Sequence, residues 1–179
     1  MRLAGMKSNN IGDTMFRKME VSGLAMDPHT NTPILILKDP KDDTALPIWI
    51  GLLEATSIAT ELENIRFPRP MTHDLIKSFL DQLKVQVEKV EVYDLRDNTY
   101  YAMIHLRDGS ASFPIDARPS DAIAIALRTH SPIYVKEEVL LKSQRVENTA
   151  KPLFKSDNNE KWSEILETLD PKDFSKYKM

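Results

Sequence analysis

The chain contains no cysteine among its 179 residues. Disulfides, zinc–thiolate centres and thiol nucleophiles are therefore excluded, and the composition suits a reducing, cytoplasmic compartment. Glycine is scarce, with five residues, and no Gly-rich phosphate loop, nucleophile elbow or zinc-finger spacing occurs. No apolar run approaches the roughly 20 residues of a membrane span, and no charged-then-apolar leader opens the sequence. A soluble protein that avoids membranes is the expectation. Nor is there an excess of basic residues: the formal net charge is −3. Contact with nucleic acid would have to come from a local patch, because phosphate binding normally draws on clustered Lys and Arg.

What is present reads as one ordinary globular domain. Apolar residues make up 41% and charged residues 28%, enough for one sizeable core. Residues 1–15 lack either periodicity and read as a flexible leader. The folded body is expected over 16–142, followed by a polar linker and a short helical tail over 143–179.

Within the body the periodicity gives an α+β pattern. Met19, Val21 and Gly23 alternate with polar residues, Ile34 to Leu37 form a more buried strand, and Leu46 to Ile50 form a third. Pro47 marks that third strand as an edge, since proline cannot donate to a ladder. The three predict a meander. Ala55, Ile58, Ala59 and Leu62 fall on one helical stripe, with Glu54, Ser57 and Glu61 pointing away from it. Leu75, Ile76, Phe79, Leu80 and Leu83 form the apolar face of a second helix, with Thr72 as its N-cap.

A strand over 85–93 follows, with a phase slip near Lys89-Val90 that suggests a bulge. Asp97-Asn98 and Asp108-Gly109 are tight-turn pairs, bracketing a strand whose Tyr100, Ala102, Ile104 and Leu106 share a face. A third helix opens near Pro119 and is apolar all round over 122–127, so it should be buried on several sides. Pro132 to Val135 reads as a short final strand at a sheet edge. Trp162, Ile165, Leu166 and Leu169 recur at helical spacing in the tail. The fold expected is a mixed β-sheet of meanders and hairpins packed with about three helices, plus a short C-terminal helix. The apolar run Ile48-Trp49-Ile50 and the supposed edge at 132–135 leave much surface to cover, which predicts a homo-oligomer.

Candidate chemistry gathers at the helix starts. Arg69-Pro70-Met71-Thr72-His73-Asp74 and Arg118-Pro119-Ser120-Asp121 share a plan of Arg-Pro, then a hydroxyl, then an aspartate. A helix N-terminus exposes unpaired N–H groups, and a neighbouring guanidinium can grip two phosphate oxygens, so Arg69, Arg118 and Ser120 are candidate phosphate ligands. The same residues also suit plain helix capping. Glu54, Asp74, Asp116 and Asp121 all sit at element ends and offer oxygen donors suited to Mg²⁺ or Mn²⁺. Capping and turn roles are the alternative for them too. Among the histidines, His73 is placed beside Asp74 to act as general acid or base, while His105 on a strand face suits a structural role. His73, Asp74, Asp116 and Asp121 form the candidate catalytic set.

Three stretches together resemble the signatures of a known family. Leu46-Pro47-Ile48-Trp49-Ile50-Gly51-Leu52-Leu53-Glu54-Ala55 is similar to the first signature of the bifunctional nuclease domain. Pro68-Arg69-Pro70-Met71-Thr72-His73-Asp74-Leu75 is similar to the second. Ile115-Asp116-Ala117-Arg118-Pro119-Ser120-Asp121-Ala122, with Pro132-Ile133-Tyr134-Val135 after it, is similar to the third. The resemblance implies a mixed-sheet α+β fold and hydrolysis of phosphodiester bonds in DNA, RNA or both. A divalent-metal nuclease is one reading of the site residues. A non-catalytic module that binds a phosphorylated ligand, nucleic acid or a partner protein through the two Arg-Pro helix starts is the other.

Overall fold

The computed structural model describes residues 15–149, with side chains through 144. The first three strands, β1 (Phe16–Met26), β2 (Pro33–Lys38) and β3 (Ala45–Trp49), form the expected antiparallel meander. Helices α1 (Leu52–Leu62) and α2 (Thr72–Leu83) follow, then a second antiparallel set, β4 (Gln86–Arg96), β5 (Thr99–Asp108) and β6 (Ala111–Ala117). Helix α3 (Pro119–Thr129), strand β7 (Ile133–Lys136) and helix α4 (Glu137–Thr149) complete the described chain. The architecture is α+β, with a mixed seven-stranded sheet in the order β3-β2-β1-β7-β4-β5-β6.

Local chemistry accounts for most of these elements. Asp97 and Asn98 take the left-handed backbone needed for a two-residue hairpin, and Gly109 does so between β5 and β6. The register of β4 shifts between Val87 and Lys89, where the apolar alternation slips, and again between Val92 and Asp94. Pro47 lies on β3, an edge strand. Its missing N–H costs no ladder bond there.

One expectation is reversed. The strand Ile133–Lys136 lies at the centre of the sheet, antiparallel to β1 and parallel to β4. It fills the open edges of both antiparallel sets at once, so both of its sides are hydrogen-bonded. The sheet edges are β3 and β6. Of the apolar run at the end of β3, Ile48 and Ile50 are buried and Trp49 is 45% exposed, so the uncovered surface there is smaller than expected.

The core lies on one face of the sheet. Met19, Leu35, Leu37, Ile48, Val90, Val92, Ala102, Ile104 and Val135 join α1, α3 and Val139 and Leu140 of α4 in one buried cluster. α3 is buried along most of its length, as its all-round apolar run predicts. The polar stretch from 143, expected as linker, continues α4 through Thr149. The leader over 1–14 and the tail helix around Trp162 lie outside the described residues. No helix among the described residues is long and apolar enough to cross a membrane.

Candidate functional site

α2 packs on α3 rather than on the sheet. A groove of about 1020 Å³ is left between α2 and the outer strands β5 and β6. Ile104, Leu106, Ile115 and Ala117 line its sheet side, and Met71, Ile76 and Leu80 line its α2 side. The polar end forms where the first turns of α1, α2 and α3 come together, carrying Glu54, His73 and Asp121. Gly51 makes room for this: a Cβ there would lie 2.2 Å from Glu54 Oε2, so glycine lets the Glu54 carboxylate fold back over the start of α1.

The polar groups form a connected network. Arg118 places Nη1 2.7 Å from Glu54 Oε1 and Nε 2.7 Å from Asp121 Oδ2. His73 Nε2 lies 3.2 Å from Asp121 Oδ1, and His73 Nδ1 lies 2.8 Å from the Ser57 hydroxyl. Burial pushes the Asp121 carboxyl up, but its hydrogen bonds to Arg118 and His73 and their charges outweigh this and hold it below the ordinary carboxylate range. An ionised carboxylate only accepts, so Nε2 carries the proton towards Asp121. With the imidazole neutral, Nδ1 is the acceptor and the Ser57 hydroxyl donates to it. The result is a Ser57–His73–Asp121 relay beside a guanidinium that is 66% exposed.

The structure brings together Glu54, His73, Arg118 and Asp121 of the candidate residues, and places the others elsewhere. Asp74 turns to the far side of α2, where it accepts from the Met71 N–H at 2.9 Å and from Arg128 Nε at 2.5 Å. Adjacent residues on a helix differ by about 100° in direction, so His73 and Asp74 cannot serve one site equally. Asp116 precedes Ala117, which lines the groove. Strand alternation sends Asp116 to the opposite face of the sheet. Ser120 is buried in the first turn of α3. Arg69 is exposed, with no side-chain hydrogen bond or ion pair among the described residues, and does not line the groove. Thr72 is the first helical residue of α2, with Met71 at the N-cap.

Glu54, Asp74, Asp116 and Asp121 therefore do not converge. Among the described residues no group of three or more His, Asp or Glu side chains is arranged to hold a metal ion. The two carboxylates that do approach each other already share Arg118. This donor set does not fit a preformed Mg²⁺ or Mn²⁺ cage.

Sequence reasoning missed two residues. Ser57 seemed to point away from the apolar stripe of α1, yet it is 3% exposed beneath α2 and α3. Arg128, at the end of α3, is buried and ties three helices: it bonds Asp74 on α2, the Ala124 carbonyl on its own helix, and the Ser57 carbonyl on α1 at 3.1 Å. An arginine within an otherwise apolar, buried helix was the available signal, since such a charge requires partners. His105 takes the structural role expected of it, 2.7 Å from Glu91 Oε2.

Acid should unpick this network in a defined direction. The Asp121 carboxyl titrates lower in the folded protein than in the unfolded chain. Its contribution is full above the unfolded value of about 3.9 and disappears as pH falls through the folded one. Thermal melts of wild type and Asp121→Asn should differ at neutral pH and converge as pH falls through the lowered folded-state value. A constant gap across that range would show that the carboxylate's charge is not what stabilises the site.

The chain matches known proteins over most of its length. A family model described as the bifunctional nuclease domain matches residues 35–148. An uncharacterized protein of Mycobacterium tuberculosis is 36% identical over 162 residues, covering 88% of this chain and 97% of that one. Bifunctional nuclease 1 of Arabidopsis thaliana is 34% identical over 115 residues, covering 62% of this chain and 34% of the plant protein. Bifunctional nuclease 1 of Oryza sativa subsp. indica is 28% identical over 109 residues, covering 59% and 33%. The matched part of this chain thus spans about a third of each plant protein's length.

Proposed function

This chain belongs to the bifunctional nuclease domain family, and on that premise we propose that it binds and hydrolyses phosphodiester bonds of nucleic acid at the groove beside α2. The observation that carries this reading is the Ser57–His73–Asp121 relay next to the exposed Arg118. A nucleotide has two parts, an apolar-faced base and a phosphate, and the groove has matching parts. Its apolar walls suit an unstacked base, and Arg118 stands where a phosphate would be held. An incoming phosphate would share the guanidinium with Glu54 and Asp121, whose charges must be outbid. Arg118 at 66% exposed has the freedom to turn towards it.

His73 is the general acid–base of this mechanism. Asp121 holds its Nε2–H and fixes the tautomer, leaving Nδ1 to take a proton through the Ser57 hydroxyl from a bound water as that water's oxygen bonds to phosphorus. The P–O ester bond breaks and the proton is returned to the departing ester oxygen. No step is assigned to a metal ion.

The apolar lining and the acid-saturated Arg118 also favour a second reading, a module that binds a nucleotide unit without cleaving it. One experiment separates them. Single-stranded DNA and RNA are incubated with wild type, Asp121→Ala and Arg118→Lys, with and without Mg²⁺ or Mn²⁺, and binding is measured in parallel. Cleavage that falls in both variants supports the nuclease. Binding that weakens in Arg118→Lys, with no cleavage by wild type under any condition, supports the binding module. Neither binding nor cleavage by wild type would end both.

A further inference from the structure

α2 is poorly covered for an amphipathic helix. None of its residues is buried. Ile76 and Leu80 pack partly against the core, but Leu75, Phe79 and Leu83 remain 43%, 57% and 69% exposed. Their four-residue spacing puts them on one stripe along the helix. The residues bordering that stripe away from the groove, Ser78 and Gln82, are uncharged. The charged residues Lys77 and Asp81 pair with each other, Nζ to Oδ2 at 2.5 Å, on the opposite side of the helix. A face meant for water would carry charge. This one has the composition of an interface centre, apolar and depleted of ions.

The order of residues along the stripe indicates the occupant. Read outward from Phe79, the pattern is the same in both directions: Leu75 and Leu83 stand four residues away on either side. Two copies of α2 packed antiparallel about a twofold axis at Phe79 place Leu75 of one copy on Leu83 of the other. Phe79 then meets its own counterpart. Such self-complementarity is what an isologous contact requires. We infer that this face is covered by a second copy of the chain, joined α2 to α2. The groove wall formed by Ile76 and Leu80 borders the contact. The two His73 residues then lie about 18 Å apart along the paired helix axes. The inference does not depend on the nuclease reading.

The cysteine-free sequence allows a clean test. Wild type should sediment at about twice the 20.5 kDa chain mass at micromolar concentration. Phe79→Glu and Leu83→Glu should each sediment as single chains with their helical circular dichroism unchanged. Under mild oxidation Phe79→Cys should form an intermolecular disulfide, because only a residue on the axis meets itself at close range. Lys77→Cys, on the far side of α2, should not. A mixture of Leu75→Cys and Leu83→Cys should cross-link more than either variant alone. A wild type that stays a single chain would overturn the inference and leave this face to the tail over 150–179 or to another protein. So would a dimer that survives Phe79→Glu or cross-links through Lys77→Cys instead.

Discussion

His73→Ala is expected to lower phosphodiester cleavage by roughly 10²- to 10⁴-fold, the usual contribution of a positioned general acid–base. Both ring nitrogens are engaged, Nδ1 with Ser57 and Nε2 with Asp121, so the ring is held in one orientation and one tautomer. Alanine removes the proton carrier but leaves few groups stranded. Asp121 keeps Arg118 as a partner, and the Ser57 hydroxyl can turn to the carbonyl one helical turn back, as serine commonly does in helices. The stability cost should therefore be about 1 kcal/mol, a fall of a few degrees in melting temperature. Asp121→Asn should also lose activity, by loosening the ring rather than removing it. A His73→Ala protein that is well folded and cleaves at the wild-type rate would sink the assignment.

The largest effect on stability is expected at Arg128. Its side chain is 3% exposed, and it links Asp74 on α2 to the Ser57 carbonyl on α1. Arg128→Met preserves the apolar stem but deletes the guanidinium, leaving the Asp74 carboxylate without its main counter-charge. Removing one partner of a buried pair costs about 3–5 kcal/mol. Asp74 is about a third exposed and can recover some hydration, so the low end of about 3 kcal/mol applies. For a chain of this size that is a fall of roughly 6–12 °C in melting temperature. Adding Asp74→Leu should restore part of the loss, since the stranded charge is then gone. Paired thermal melts check both claims. A shift below 2 °C for Arg128→Met, by the same conversion about 1 kcal/mol or less, would mean that water already satisfies Asp74.

Local chemistry made much of this fold legible in advance. Asp97-Asn98 and Gly109 announced two hairpins, the slip at Lys89-Val90 announced a bulge, and the all-apolar run 122–127 announced the buried helix. Each signal depends only on neighbours in the chain. The central position of Ile133–Lys136 was not legible, because a short alternating strand looks alike at an edge or between two strands. Ser57 was misjudged for a related reason. It lies off the stripe that α1 presents to the sheet, but α2 and α3 cover that side as well.

The sequence by itself determined most of the elements, their turns and the family, though not helix α4, since periodicity, turn chemistry and signature order are carried along one dimension. Only the tertiary structure decided which candidate residues share a site. Asp116 stands next to groove-lining Ala117, yet strand alternation sends it to the other face of the sheet. Asp74 follows His73, yet the turn of the helix takes it to Arg128 instead of the groove. Ser57, His73 and Asp121 come from three helices and meet because α1 and α2 both pack on α3. Convergence of side chains depends on how rigid elements are rotated against one another, and that is fixed by packing across the core.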